Sequence, residues 1–234
     1  MREPKPPIRR TKMKTRISVA VTLATFLGLA SALTAADSTR LDAMPGSKVR
    51  LEGTSSLHDW QCEATFIGGH LDAGAGFPLA QGQEVKPGKV EAKGDAWITV
   101  RALKSIEKDG KPYSDKMDTI MWEKLKQPSF PRIVYAISEL TLKEAPKAKD
   151  GPYLFDSVGQ LAVAGVTNKI SMPVTVTVLA DKKVKISGNT PVKMSDFSVK
   201  PETIGLGLFK TGDEVKILFE WVVGQKAAAA TTAK

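Results

Sequence analysis

The sequence predicts an all-β fold of eight antiparallel strands, closed as a barrel or stacked as a sandwich, with one short helix. Three observations carry this. Apolar and polar residues alternate with a period of two in segment after segment, turn residues bound those segments, and a single stretch near 114–127 switches to helical spacing. The composition is that of a globular chain, with 42% apolar and 25% charged residues among 234.

The opening strand is expected near 49–55. In the second, Trp60, Cys62, Ala64 and Phe66 share one face. In the third, Val90, Ala92, Gly94, Ala96, Ile98 and Val100 alternate with Glu91, Lys93, Asp95, Trp97 and Thr99. Ile133, Tyr135 and Ile137 form a fourth after Pro131, and a fifth lies near 153–163. Ile170, Met172, Val174, Val176 and Val178 make the sixth, and Val184 and Ile186 the seventh. Val215, Ile217, Phe219, Trp221 and Val223 make the eighth. The helix places Met117, Ile120, Met121 and Leu125 on one face, with Ser114 as N-cap and Pro128 as stop. Lys116, Glu123 and Lys126 occupy its other face, so it should lie over the barrel rather than inside it. Residues 74–88 and 143–152 read as loops, and 226–234 as a flexible Ala/Thr tail.

Residues 1–36 have the three parts of a secretory signal. Seven basic residues and one acid precede or begin an uncharged apolar run from Ile17 to Leu33, which ends in Ala30-Ser31-Ala32 and Thr34-Ala35-Ala36. Cleavage is expected after Ala36, with Ala32 as the alternative; a start at Met13 gives the tidier signal. The run is at the short limit for a membrane helix, which leaves an uncleaved anchor as the competing reading. The leader also explains the formal charge of +9, because the remainder holds 27 basic against 24 acidic side chains. Nucleic-acid binding therefore has no basis in the domain over 37–225.

Closure into a barrel would remove exposed edges, and eight strands enclose either packed side chains or one small ligand. On the faces assigned inward, Ala64, Ala92, Gly94, Ala96 and Gly159 are small. They either leave an apolar cavity or make room for the covering helix and for tight bends. An outer-membrane barrel needs aromatic girdles, and fifteen aromatic residues do not assemble them.

Recognisable catalytic chemistry is sparse. Ser55, Ser56, His58 and Asp59 contain the residue types of a nucleophilic triad, but neighbours on an extended segment point to opposite faces and do not converge. A role in a turn or at a cavity mouth suits His58 and Asp59 better. One cysteine and two histidines lack the spacing of a zinc site, and no glycine-rich phosphate loop precedes a helix. No metal and no cofactor are expected. Cys62, alternating with Trp60 and Ala64, should be buried.

Five segments in order resemble the YceI-like domain, a family of exported bacterial proteins that bind polyisoprenoid lipid. They are Leu51-Glu52-Gly53-Thr54-Ser55-Ser56-Leu57-His58-Asp59-Trp60, then Asp118 through Leu125 leading into Pro128-Ser129-Phe130-Pro131-Arg132-Ile133. The third runs Gly159-Gln160-Leu161-Ala162-Val163-Ala164-Gly165-Val166-Thr167-Asn168-Lys169. Ser195-Asp196-Phe197-Ser198-Val199 and Asp213-Glu214-Val215-Lys216-Ile217 complete the set. The resemblance implies an eight-stranded, lipocalin-like antiparallel barrel with a lipid chain in its lumen and no enzymatic activity. The expected ligand is an isoprenoid such as a quinone tail or prenyl lipid. The expected contacts are Trp60, Phe66, Ile98, Ile133, Tyr135, Met172, Val174, Phe197, Phe219 and Trp221. The apolar, glycine-rich stretch with Phe197, Leu206, Leu208 and Phe209 either gates the mouth or merely crosses the barrel end.

The expected location is the periplasm or outside the cell, and a homodimer is left open. Two other functions compete: a structural or stress-related envelope protein whose barrel is filled and which acts through its surface, and a hydrolase using His58 and Asp59. The leader generates the first testable outcome. Terminal sequencing of the protein recovered from the cell envelope should find Asp37 or Leu33 first; Met1 or Met13 still attached would contradict export by cleavage.

Overall fold

Hydrogen-bonded neighbours run around a complete circle of eight strand positions in the computed structural model, which describes residues 38–204 and 208–226. The expected leader, residues 205–207 and all but the first residue of the expected tail lie outside these residues. The first three positions are broken strands. The first comprises β1 (Thr39–Ala43) and β2 (Lys48–Ser55), and the second β3 (Trp60–Ala64) and β4 (Gly68–Ala73). The third comprises β5 (Gly88–Val90), β6 (Ala92–Thr99) and β7 (Lys104–Ile106). The helix α1 (Asp115–Lys124) follows, then four long strands: β8 (Arg132–Glu144), β9 (Tyr153–Val163), β10 (Val166–Val178) and β11 (Lys183–Lys193). A short β12 (Thr203–Ile204) pairs only with the start of β13 (Phe209–Gly224).

The long β13 closes the ring. One edge pairs with β11 from Lys193↔Glu214 to Lys183↔Gly224. Its other edge pairs with β2 and then with β1, through Ala43↔Val223. Every neighbouring pair is antiparallel, so the barrel expected from the sequence forms. The eight expected strands coincide with the eight positions. The pieces β1, β4 and β7 were not foreseen, because each is short and is separated by a break from the strand it extends.

One such break corrects a face assignment. β3 ends at Ala64, and in the link to β4 it is Ile67, not Phe66, that turns into the core. Phe66 is 46% exposed and lies edge-on to Trp97 outside the barrel, 6.3 Å between ring centroids. The small residues also have other uses than expected. Ala64 and Ala92 pack into the solid part of the core. Gly94 (φ +156°) lets β6 approach β4 so closely that a Cβ would stand 2.1 Å from the His70 carbonyl oxygen. Gly159 lies beneath the Tyr135 ring. Of the five, Ala96 alone lines the open lumen.

One end of the barrel is solid. The loop between β4 and β5 folds inward, and Phe77 stacks on Phe155 with centroids 6.3 Å apart. Leu41, Leu71, Leu142, Val184 and Val223 complete this plug. The Tyr153 hydroxyl donates to the Gln83 carbonyl at 2.7 Å, and the Gln83 side-chain oxygen accepts from the Leu79 and Ala80 amides. These bonds satisfy a loop that burial would otherwise leave with orphaned polar groups.

The opposite end is roofed by α1. Beyond Thr99 the chain leaves β8, so β7 has no strand on that side, and α1 fills the space. Ser114 caps the helix by accepting from the Met117 amide. The helix stops at Lys124, short of the expected 127, because Lys126 (φ +53°) turns left-handed and the Gln127 amide reaches back to the Trp122 carbonyl. Its buried residue is Asp118, only 3% exposed. The carboxylate accepts from the Ser105 amide at 2.6 Å and lies 3.1 Å from the Lys104 ammonium. Trp122 donates its indole N–H to the Leu103 carbonyl, and Lys104 stacks over that ring. A polar edge thus anchors the helix to residues 103–105, while Ile120, Met121 and Leu125 face the lumen and Met117 stands exposed at its rim.

Two outcomes follow from this corner. Burial raises the Asp118 carboxyl, but the Ser105 donors and the Lys104 ammonium outweigh it and hold it below the usual aspartate range. Asp118→Ala should cost about 1.5–3 kcal/mol at neutral pH. Because the folded value is depressed, that contribution is present above the unfolded value and fades as pH falls through the folded one. Chemical denaturation of wild type and variant across that window should show the gap closing; a gap independent of pH would contradict the ionic anchor. Beside it, burial first and the Asp118 charge second push the Cys62 thiol up to about 12. A thiol reagent should modify native protein far more slowly than the urea-unfolded chain. Equal rates would place Cys62 on the surface.

Candidate functional site

Between the plug and the roof the barrel is hollow. The cavity is about 1170 Å³, at or above the upper end of the usual range for small-molecule sites. Its walls come from the inward positions of nearly every strand. Trp60, Ile98, Ile133, Tyr135, Met172, Val174, Phe197, Phe219 and Trp221 all line it; Phe66 does not. Alternation put Ala96 on the inward face, and it lines the cavity; so do Leu51, Ile67 and the helix residues Met121 and Leu125, which were not among the expected contacts. Ala96 was noted for its size, and the helix face for its spacing. The signal missing for Ile67 was the break after Ala64.

Glycines near the open end of the barrel let rings lie close against the backbone. A Cβ on Gly53 would stand 2.1 Å from the Trp60 ring, and one on Gly165 would stand 2.4 Å from the Phe130 ring. Gly165 (φ +88°) and Ala164 (φ +50°) also make the tight turn between β9 and β10. Asn168 donates to the Asp196 carbonyl at 2.7 Å, and Asp213 accepts from the Ser195 amide at 2.8 Å. These two bonds hold the turn over 195–197, which packs Phe197 and Val199 against Leu161 and Ala164.

Polar groups in the cavity are few and mostly satisfied. Tyr135 and Ser157 bond to each other at 2.9 Å, and burial raises the Tyr135 hydroxyl although the Ser157 bond opposes it. Two hydroxyls sharing one hydrogen bond leave one donor over. Trp221, which lines the cavity from β13 on the far side of the ring, has its indole N–H buried without a partner. The site therefore offers apolar contact over most of its surface and hydrogen-bond donors at few points.

The mouth is formed by the β2–β3 turn, residues 107–113, the start of α1 and the segment from Lys200 to Thr211, of which 205–207 are not described. His58 and Asp59 are part of this rim. Ser55 does not face His58 as a nucleophile: its hydroxyl donates to the His58 carbonyl at 2.7 Å and accepts from the Leu57 and His58 amides. The His58 ring contacts the Asp59 carbonyl and the Tyr113 hydroxyl. The four residues close a turn and do not form a triad. His70 lies elsewhere, on the outer face of β4 between Asp95 (3.2 Å) and Asp72 (3.7 Å). Across the mouth, Lys124 of α1 pairs with Glu202. Among the described residues no helix is long and apolar enough to cross a membrane.

The model of the YceI-like domain matches residues 56–223. Among solved structures, BcnA of Burkholderia cenocepacia superposes with a TM-score of 0.51 at 19% identity, covering 75% of this chain and 95% of that one. A polyisoprenoid binding domain from Saccharophagus degradans, implicated in plant cell wall breakdown, superposes with a TM-score of 0.56 at 11% identity, covering 80% and 98%. No curated protein sequence matches the chain. At these identities the structures speak for the fold, and the match over 56–223 speaks for the lineage: the chain belongs to the YceI-like domain family.

Proposed function

We propose that the protein is exported and holds one isoprenoid-type molecule, a quinone tail or prenyl lipid, in the barrel lumen to carry or sequester it. The observation that carries this reading is the 1170 Å³ cavity lined by inward apolar side chains from nearly every strand. Water gains little there, because it needs two to four polar partners and the walls offer few. A chain of methylene and methyl groups gains about 0.8 kcal/mol for each CH₂ it buries, so affinity accrues with length and needs no catalytic group. The spare donors near Tyr135 and on Trp221 suit an oxygen on such a ligand better than a plain hydrocarbon. A filled barrel acting only through its surface is hard to reconcile with this volume. A hydrolase at His58 has no nucleophile placed for it. The YceI-like membership and the signal-like leader support export to the periplasm or beyond.

Solvent extraction of the purified protein, followed by mass spectrometry, should recover an isoprenoid near one per chain. Ala96→Trp, which fills the lumen, should abolish retention while costing less than the roughly 1–3 kcal/mol typical of overpacking a solid core. Lys93→Trp, on the exposed face of the same strand, should leave retention unchanged. Retention by Ala96→Trp equal to that of the wild type, or no ligand in either, would contradict the proposal.

A further inference from the structure

Eight large hydrophobic side chains stand exposed among the described residues; four of them line the cavity mouth, and a fifth, Leu208, adjoins Phe209 there. The five are Leu57, Tyr113, Met117, Leu208 and Phe209; Leu208 is 75% and Leu57 63% exposed. Scattered surface leucines need no explanation, but a cluster around the mouth of an apolar cavity does. The cluster is also built. The Ser56 amide donates to the Lys210 carbonyl at 2.9 Å, the Lys210 amide donates to the Ser56 hydroxyl at 3.0 Å, and that hydroxyl reaches the Leu208 carbonyl. The segments that carry Leu57 and Leu208, far apart in sequence, are thereby tied together. The Tyr113 hydroxyl is tied to the His58 ring in the same rim.

Charge around the opening is uneven. Lys108, Lys193, Lys200 and Lys210 line it and make no ion pair among the described residues, whereas Lys111 and Lys124 are paired with Asp109 and Glu202. The carboxylates there without an ion pair are Asp59 and Glu107. Apolar side chains ringed by lysines that outnumber the carboxylates are the chemistry of a surface that sits in the headgroup layer of an anionic bilayer.

We propose that the mouth is a membrane-docking face: Leu57, Tyr113, Met117, Leu208 and Phe209 insert into the interface of an anionic lipid bilayer, with the lysines on its headgroups. The opening of the cavity then faces the acyl layer, and an insoluble chain passes between bilayer and lumen without crossing water. This rests on the isoprenoid-carrying reading above, but it is tested separately.

The test places an environment-sensitive fluorophore at Leu208→Cys, with Lys182→Cys in the turn at the opposite end as control. Both are mixed with vesicles of phosphatidylglycerol and phosphatidylcholine. Cys62, being buried, stays unlabelled under native conditions. The fluorophore at 208 should shift to the blue and be quenched by brominated acyl chains, while that at 182 keeps its aqueous emission. Leu208→Glu should lower vesicle partitioning about tenfold, and raised salt or phosphatidylcholine alone should lower it further. No shift at 208, an equal shift at 182, or unchanged partitioning of Leu208→Glu would overturn the docking face. Uptake of a prenyl alcohol from detergent micelles is measured in parallel. Uptake without docking overturns this inference and leaves the carrying function standing. Docking without uptake overturns the carrying function and leaves the docking face.

Discussion

The hollow lumen depends on how α1 is held. An amphipathic helix laid over a barrel ordinarily buries its apolar stripe as core, which here would close the space. Instead the helix hangs from its polar edge, by Asp118 on the Ser105 amide and the Lys104 ammonium and by Trp122 on the Leu103 carbonyl. Breaking a charge-assisted bond at a buried carboxylate leaves that carboxylate uncompensated, so the anchor is directional as well as strong. Ile120, Met121 and Leu125 are then free to serve as a ceiling. The plug of Phe77 and Phe155 at the far end and this ceiling at the near end set the length of the cavity between them.

The motifs that identify the lineage turn out to be contacts with one another. Phe130, from the entry to β8, lies on Gly165 in the turn between β9 and β10. Asn168, after that turn, holds Asp196, and Asp213 at the start of the closing strand holds Ser195. Trp60 lies on Gly53 within the first motif. Each pair joins parts of the sequence that meet near the open end of the barrel. Their order along the chain is therefore a record of the geometry that supports the mouth, and it carries little information about what fills the lumen.

Period-two alternation made the barrel legible, because every long strand has a buried and a solvated face. It located Trp60, Ile98, Ile133, Tyr135, Met172, Val174, Phe219 and Trp221 on the cavity wall for the same reason. It failed where a strand breaks: the link from Ala64 to Gly68 shifts the phase, so Phe66 points out and Ile67 points in. It also could not tell a solid stretch of lumen from a hollow one, since Ala64, Ala92 and Ala96 look alike in sequence and only Ala96 meets the cavity. That distinction belongs to the loop over 74–88, whose inward fold no local pattern announces. The Cys62 environment was half legible: alternation placed it inside, but the Asp118 carboxylate beside it comes from a helix more than fifty residues on.

A single isoprenoid-sized occupant is the central claim, and native mass spectrometry of the protein purified without detergent weighs it directly. The account expects a species heavier than the bare chain by one defined isoprenoid mass per subunit, released on collisional activation. A spectrum of the bare chain alone, from cells that make such lipids, would contradict it.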